Sequence, residues 1–298
     1  MATYVTSDAH GHLRALDLAL NLAQPGPHDT VYVLGDMVDR GPDPVGVMRL
    51  VSNLEGARAL LGNHESMMLS SMLGPRAHGD EPWFADTDPF VWETNGGFTT
   101  LKGMEHLSAA ERVGLLEWLR GLPLSYVAEV DDMLPSAGPG ARRTFLLSHA
   151  GIDAAGLSCS LSRMGWALPE GTGAAGVPAR ALRDAMGEQS PDDLLWIRGE
   201  FWWEPTGLVG ADGAGPVVVS GHTPSILLGG YARRMRGTGS DDGMHGCVVE
   251  VGACQDTGGV ADKVDIDCAA AAGWPSGRVG VMRLEDRRVW FADVERGE

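Results

Sequence analysis

Five times along this chain an apolar run rich in β-branched residues stops in a cluster of glycine with aspartate, asparagine or histidine. The clusters are SDAHGH after residue 6, GDMVDRG after 34, GNHE after 61, SHAG after 147 and GHTP after 220. Such runs read as buried strands. A charge or imidazole where a core strand ends costs desolvation energy unless it is paired, hydrogen-bonded or met by a metal. In open α/β sheets the carboxyl ends of the strands form one crevice, so clusters far apart in sequence can meet there.

The spacing between the clusters gives the fold class. Strands at residues 3–7, 31–34 and 57–61 alternate with helical periodicity at 13–23 and 45–54, which predicts a parallel sheet. Further strands are expected at 124–130, 144–147, 217–220, 247–251, 263–267, 279–284 and 289–292. The strand-rich second half calls for a second sheet packed on the first, so the expected fold is α/β: two packed mixed β-sheets flanked by helices. Between them, residues 72–106 break the rhythm and read as an insertion over the site, carrying WETNGGFTTL at 92–101. A helix is expected at 108–120, where Ser108 and Glu111 fit a capping box. No repeat or linker divides the 298 residues, which read as one domain.

Composition narrows the partners. A formal net charge of −17 argues against a nucleic-acid polymer, whose binding rests on Lys and Arg. No apolar run approaches the roughly 18 residues of a membrane span, and the opening MATYVTSDAHGHLR lacks signal-peptide features, so the cytoplasm is the expected location. Cys159, Cys247, Cys254 and Cys268 are too scattered for a thiolate metal site.

What remains at the strand ends is a donor set of Asp8, His10, Asp36, Asn63, His149 and His222. Any one has an ordinary alternative, such as an aspartate capping a helix. Six of them at five strand ends suit two divalent ions, Mn²⁺ first, with Fe²⁺ or Zn²⁺ as options. Two ions roughly 3.5–4 Å apart can activate a shared water and hold a phosphoryl oxygen, and Asp36 is the natural bridge. His12, His28, His78, His106 and His245 lack that setting.

The ordered series D-x-H-G, G-D-x-V-D-R-G, G-N-H-E, S-H-A-G and G-H-T resembles the calcineurin-like metallophosphoesterases, and more closely their phosphoprotein phosphatase branch of bacterial type. WETNGGFTTL, DLLWIRGEF at 193–201 and VDIDCA at 264–269 are similar to bacterial members of that branch. The resemblance implies that Asp8 and His10 serve one metal and Asn63, His149 and His222 the other, with Asp36 shared. It implies His64 as the general acid that protonates the leaving alkoxide and Asp39 as the acid that orients it. Arg40 and Arg198, with Asn63, correspond to the groups that hold the phosphate.

The activity so implied is metal-dependent phosphomonoester hydrolysis by in-line attack of a metal-activated water. A serine/threonine protein phosphatase is the expected type, acting on phosphorylated protein or a small phosphoester. Symmetrical dinucleoside tetraphosphate hydrolases, or broader nucleotide phosphoesterases, resemble the same branch. They typically carry alanine where this chain has Asp39 and often aspartate where it has Glu65, so these two residues tilt the reading toward phosphomonoesters. A catalytically silent binding module on the same scaffold is the third reading. Two departures stand out: Ser7 takes the place of a usual glycine, and IDCAAAAG replaces the more usual I-D-T-G-A. The resemblance does not account for EFWWEP at 200–205, where the aromatic pair reads as core ahead of a substrate platform. Nor does it account for Arg233, Arg234 and Arg236, which read as a solvated loop.

Overall fold

A computed structural model describes residues 1–73, 89–135, 137–169, 171–237 and 241–298. The first sheet starts with β1 (Thr3–Thr6), β2 (Thr30–Val33) and β3 (Ala57–Ala59), parallel and adjacent as expected. Helices α1 (Leu13–Ala23) and α2 (Pro44–Asn53) make the crossovers. Alternation explains why β2 is apolar along its whole length. Val31 and Val33 pack outward among the helices, while Tyr32 and the following Leu34 pack inward against the second sheet.

The chain then builds the second sheet from β4 (Ser125–Asp131), β5 (Arg142–Ser148), β6 (Val217–Ser220), β7 (Met235–Gly237), β8 (Val249–Val251) and β9 (Lys263–Asp265), in the order β4-β5-β6-β9-β8-β7. Here β5, β6 and β9 run parallel and the outer strands antiparallel. The last two strands, β10 (Arg278–Arg283) and β11 (Val289–Asp293), return to the first sheet, where β10 lies antiparallel to β1. Both sheets are therefore mixed. Their facing sides share a core of Val5, Leu34, Leu60, Phe145, Leu147, Val219, Val264 and Met282.

Several elements differ from the sequence reading. GNHE opens a helix, α3 (Asn63–Leu73), so Asn63, His64 and Glu65 form its first turn. Of the 72–106 segment, residues 74–88, with His78, lie outside the described residues. Its second half is helical: α4 (Pro89–Trp92), a π-turn at Glu93–Gly97 and α5 (Phe98–Glu105). Helix α6 (Ala109–Arg120) carries the expected capping box of Ser108 and Glu111. The second half also holds α7 (Ala154–Arg163), α8 (Ala179–Met186), α9 (Pro191–Trp196) and α10 (Gly199–Trp203), which cover the outer face of the second sheet. Ser190 caps α9 ahead of Pro191, its Oγ accepting from the Asp192 amide at 3.2 Å. No helix among the described residues is long and apolar enough to cross a membrane.

Candidate metal centre

All five polar clusters stand on one edge of the sandwich, because β1, β2, β3, β5 and β6 present their carboxyl ends there. The loops after β1 and β2 are zipped together by backbone hydrogen bonds. The amides of Asp8, His10 and Gly11 donate to the carbonyls of Gly35, Asp36 and Met37, and the Gly41 amide donates to the carbonyl of His10. Within these loops Asp8, His10, Asp36, Asp39 and Arg40 take left-handed φ values between 43° and 70°, and His222 after β6 does the same at 66°. Backbone strain of this kind persists only where the surroundings over-determine it, and it gathers at functional sites.

Asp36 sits at the middle of the cluster, buried to 2% exposure. Its Oδ2 lies 3.4 Å from His10 Nε2 and its Oδ1 3.4 Å from His149 Nε2, so its two oxygens face different partners. Two donor groups result. His10, Asp36 and His64 form one, and Asp36, His149 and His222 form the other. Asn63 joins the second group: its Oδ1 is 2.8 Å from His149 Nε2 and 3.0 Å from His222 Nδ1. Asp8 accepts the His222 amide on both carboxylate oxygens at 3.2 and 3.1 Å, and its charge acts on Asp36.

Tautomers fix what these imidazoles can do. His10 Nδ1 donates to the Val38 carbonyl at 3.0 Å and His149 Nδ1 to the Leu34 carbonyl at 2.8 Å. Burial pushes His149 down to about 4 and lowers His10 and His222 well below the ordinary histidine value. The rings are thus neutral near pH 7, and the Nε2 of His10 and of His149 carries a lone pair. These lone pairs point at the oxygens of Asp36 and Asn63, acceptor toward acceptor. Burial and the nearby charges of Asp8 and Glu65 also raise the Asp36 carboxyl well above the usual range. Facing lone pairs on a buried carboxylate are what a divalent cation resolves, and the N/O donor set without thiolate fits such an ion.

Glu65, outside the expected donor set, shapes the loop. Its carboxylate accepts from the amides of Asp36, Met37, Val38 and Gly62 at 2.8, 2.7, 3.1 and 2.9 Å. Burial nevertheless moves it up to about 7. Glycines before two of the donors are equally strict. A Cβ on Gly62 would lie 2.3 Å from Asp36 Oδ1 and 2.4 Å from its amide, and one on Gly221 would lie 2.0 Å from Asp8 Oδ2. Gly62→Ala is therefore expected to destabilise the fold by about 1–3 kcal/mol, the usual size of a small overpacking, and to lower bound divalent ion. Thermal unfolding and metal analysis of the purified variant would check both. A variant that melts with the parent and keeps its metal would contradict the packing argument.

His64 stands in the first donor group, its ring 4.8 Å from that of His10. Its Nδ1 donates to Asp39 Oδ2 at 2.7 Å, and Arg40 Nη2 donates to its Nε2 at 2.9 Å. Burial lowers its basicity and Asp39 opposes that. Asp39 is held in turn by Trp92 Nε1 at 2.9 and 3.1 Å and by Thr100 Oγ1 at 2.6 Å. WETNGGFTTL supplied the signal for both residues, but nothing local named Asp39 as their partner. The same segment holds Arg40, whose amide donates to the Gly96 carbonyl; a Cβ on Gly96 would come 2.7 Å from Arg40 Cγ.

Arg198 is half-buried at the start of α10, and its charge helps to lower His149 and His222. In VDIDCA, Asp265 and Asp267 are buried and raised well above the usual carboxylate range by burial first, then by each other's charge for Asp265 and by Asp8 for Asp267. Ala269 occupies the position of the more usual glycine and takes a left-handed φ of 59°, and its amide donates to Asp267 Oδ1 at 2.8 Å. The aromatic pair divides: Trp202 is core at 1% exposure, whereas Trp203 is 49% exposed. Arg233 stacks on Trp203, whereas Arg236 lies in β7 and pairs with Glu250 of β8, so the expected solvated loop ends before Met235.

The chain is similar to proteins of known name. The symmetrical bis(5'-nucleosyl)-tetraphosphatase of Photorhabdus laumondii is 33% identical over 154 residues, covering 51% of this chain and 45% of that protein. The enzyme of the same name from Paracidovorax citrulli is 36% identical over 154 residues, with the same coverage of 51% and 45%. The chain spans about half the length of the curated relatives it matches. Among solved structures, a metallophosphoesterase from Sphaerobacter thermophilus aligns at 17% identity and a TM-score of 0.46, over 100% of this chain and 89% of that one. A protein serine/threonine phosphatase from Saccharomyces cerevisiae aligns at 16% identity and a TM-score of 0.45, over 100% and 81%. The profile described as Calcineurin-like phosphoesterase runs from residue 1 to 249, through every one of the five polar strand ends, and the chain belongs to that family.

Proposed function

We propose that the chain is a metal-dependent phosphoester hydrolase that cleaves dinucleoside tetraphosphates symmetrically. The observation that carries the hydrolase reading is Asp36, which presents one oxygen to each of two neutral-imidazole donor groups. Similarity to symmetrical tetraphosphatases supports the substrate, in preference to the phosphoprotein expected from the sequence. Asp36, with His10, Asn63, His149 and His222, would hold a pair of divalent ions such as Mn²⁺, which would supply an acidified water and a cationic seat for phosphoryl oxygens.

The chain's own residues divide the remaining work. Arg40 and Arg198 hold phosphoryl oxygens, for which the planar guanidinium is suited. Arg40 occupies His64 Nε2 at 2.9 Å, so turning toward phosphate frees that nitrogen. Asp39 orients His64 through Nδ1 and supports its protonated form, ready to give a proton at the leaving oxygen. Residues 89–105 form a wall that fixes Asp39 and Arg40 from the side. The His64–Asp39 contact also favours a second reading, phosphomonoester hydrolysis, because an alkoxide leaving group needs a proton and a phosphate leaving group needs little.

Steady-state kinetics of Mn²⁺-loaded protein on diadenosine tetraphosphate and on phosphoserine and phosphothreonine peptides separate the two. The expected result is a preference of at least about a hundredfold in kcat/KM for the dinucleotide, equivalent to about 2.7 kcal/mol, with ADP as the sole nucleotide product. ATP plus AMP as products, or a preference for the peptides, would overturn the substrate assignment.

A further inference from the structure

The chain that leads away from the metal centre continues into a groove. Trp196 stands edge-on to His222 with ring centroids 6.0 Å apart, and Arg198 follows two residues later. The next residue, Gly199, lines a groove of about 370 Å³ together with Glu200, Trp203, Glu204, Gly230 and Tyr231. That size is at the lower end for pockets that take small organic groups.

The walls have a particular chemistry. Trp202 turns inward, its Nε1 donating to Thr223 Oγ1 at 3.1 Å, and this anchors α10 so that Trp203 faces the groove. The Arg233 guanidinium lies 4.0 Å from the Trp203 ring centroid and steadies the indole. Gly199 and Gly230 leave the groove open: a Cβ on Gly199 would come no nearer than 3.8 Å to Tyr231, and one on Gly230 would meet nothing within 4 Å. Glu200 and Glu204 are exposed carboxylates, which accept hydrogen bonds and repel an anion.

We propose that this groove is a nucleobase subsite for a purine with an exocyclic amino group. Resting on the dinucleotide reading above, it places the base beside Trp203 and Tyr231 while the polyphosphate lies past Arg198 at the metal centre. Two aromatic rings offer a π-face for stacking, two glycines admit a flat ring, and a glutamate accepts from the amino group. The anionic part of the ligand is kept out of the groove by the same two carboxylates and is drawn to Arg198.

The test is calorimetric titration of the Mn²⁺-loaded protein with AMP and with ribose 5-phosphate, which carries the phosphate and sugar without the base. Wild-type protein should bind AMP at least about tenfold more tightly, the scale of one base–aromatic stack. The ratio should fall toward one in Trp203→Ala and in Tyr231→Ala, while ribose 5-phosphate binds as before. Equal affinities in the wild type overturn the subsite, and so does a ratio that survives both substitutions. If the ratio behaves as expected but diadenosine tetraphosphate is not hydrolysed, the subsite is supported and the substrate assignment alone falls.

Discussion

Asp36→Asn should lower phosphoester hydrolysis by more than about 10²-fold and bring the divalent-ion content of the protein down with it. Changes to residues that merely orient metal ligands cost about 10–100-fold, and Asp36 is shared by both donor groups. Asparagine keeps the shape and one acceptor oxygen but cannot present an anionic oxygen to His10 on one side and His149 on the other. It also keeps an oxygen for the His64 amide, which donates to Asp36 Oδ1 at 3.0 Å, so the first turn of α3 should survive. Metal analysis and activity measured on one preparation give the comparison. Full metal content with full activity would remove Asp36 from its central place.

His64→Ala should be slower by about 10²–10⁴-fold on an alkyl phosphomonoester, the usual reach of a positioned proton donor. Nitrophenyl phosphate and diadenosine tetraphosphate should suffer much less, because their leaving groups are weak bases. Asp39→Asn should show the same leaving-group trend more weakly, since Asp39 acts through His64 Nδ1 at 2.7 Å. Removing Trp92 or Thr100 from Asp39 should move in that direction again, as both hold the carboxylate. Arg40→Ala should instead impair all of these substrates alike, because a group on the transferred phosphoryl acts whatever leaves. Equal losses on good and poor leaving groups in His64→Ala would make His64 a positioning residue and withdraw the proton donor.

The order of residues alone specifies the elements that one local period can reveal. The β-branched run of β2, the spacing of α1 and the Ser108 capping box of α6 stand where their patterns placed them. It also determined that Asp8, His10, Asp36, Asn63, His149 and His222 lie at strand or helix ends, because polar groups after apolar runs mark where the core stops. The glycines of the motifs were legible for the same reason, and the 2.3 Å approach at Gly62 shows why no side chain fits.

The partners of these residues come from packing across the whole fold. Trp92 and Thr100 reach Asp39 across 53 and 61 residues, Glu65 gathers amides from Asp36 to Val38, and Arg40 rests on His64. The return of β10 to lie beside β1, and the division of Trp202 from Trp203 into core and surface, belong to the same class. A hydrophobic period reports which face of an element is buried, not which element buries it. That choice is made by packing the two sheets and their helices together, where close contacts depend on shapes and distances that no single segment encodes.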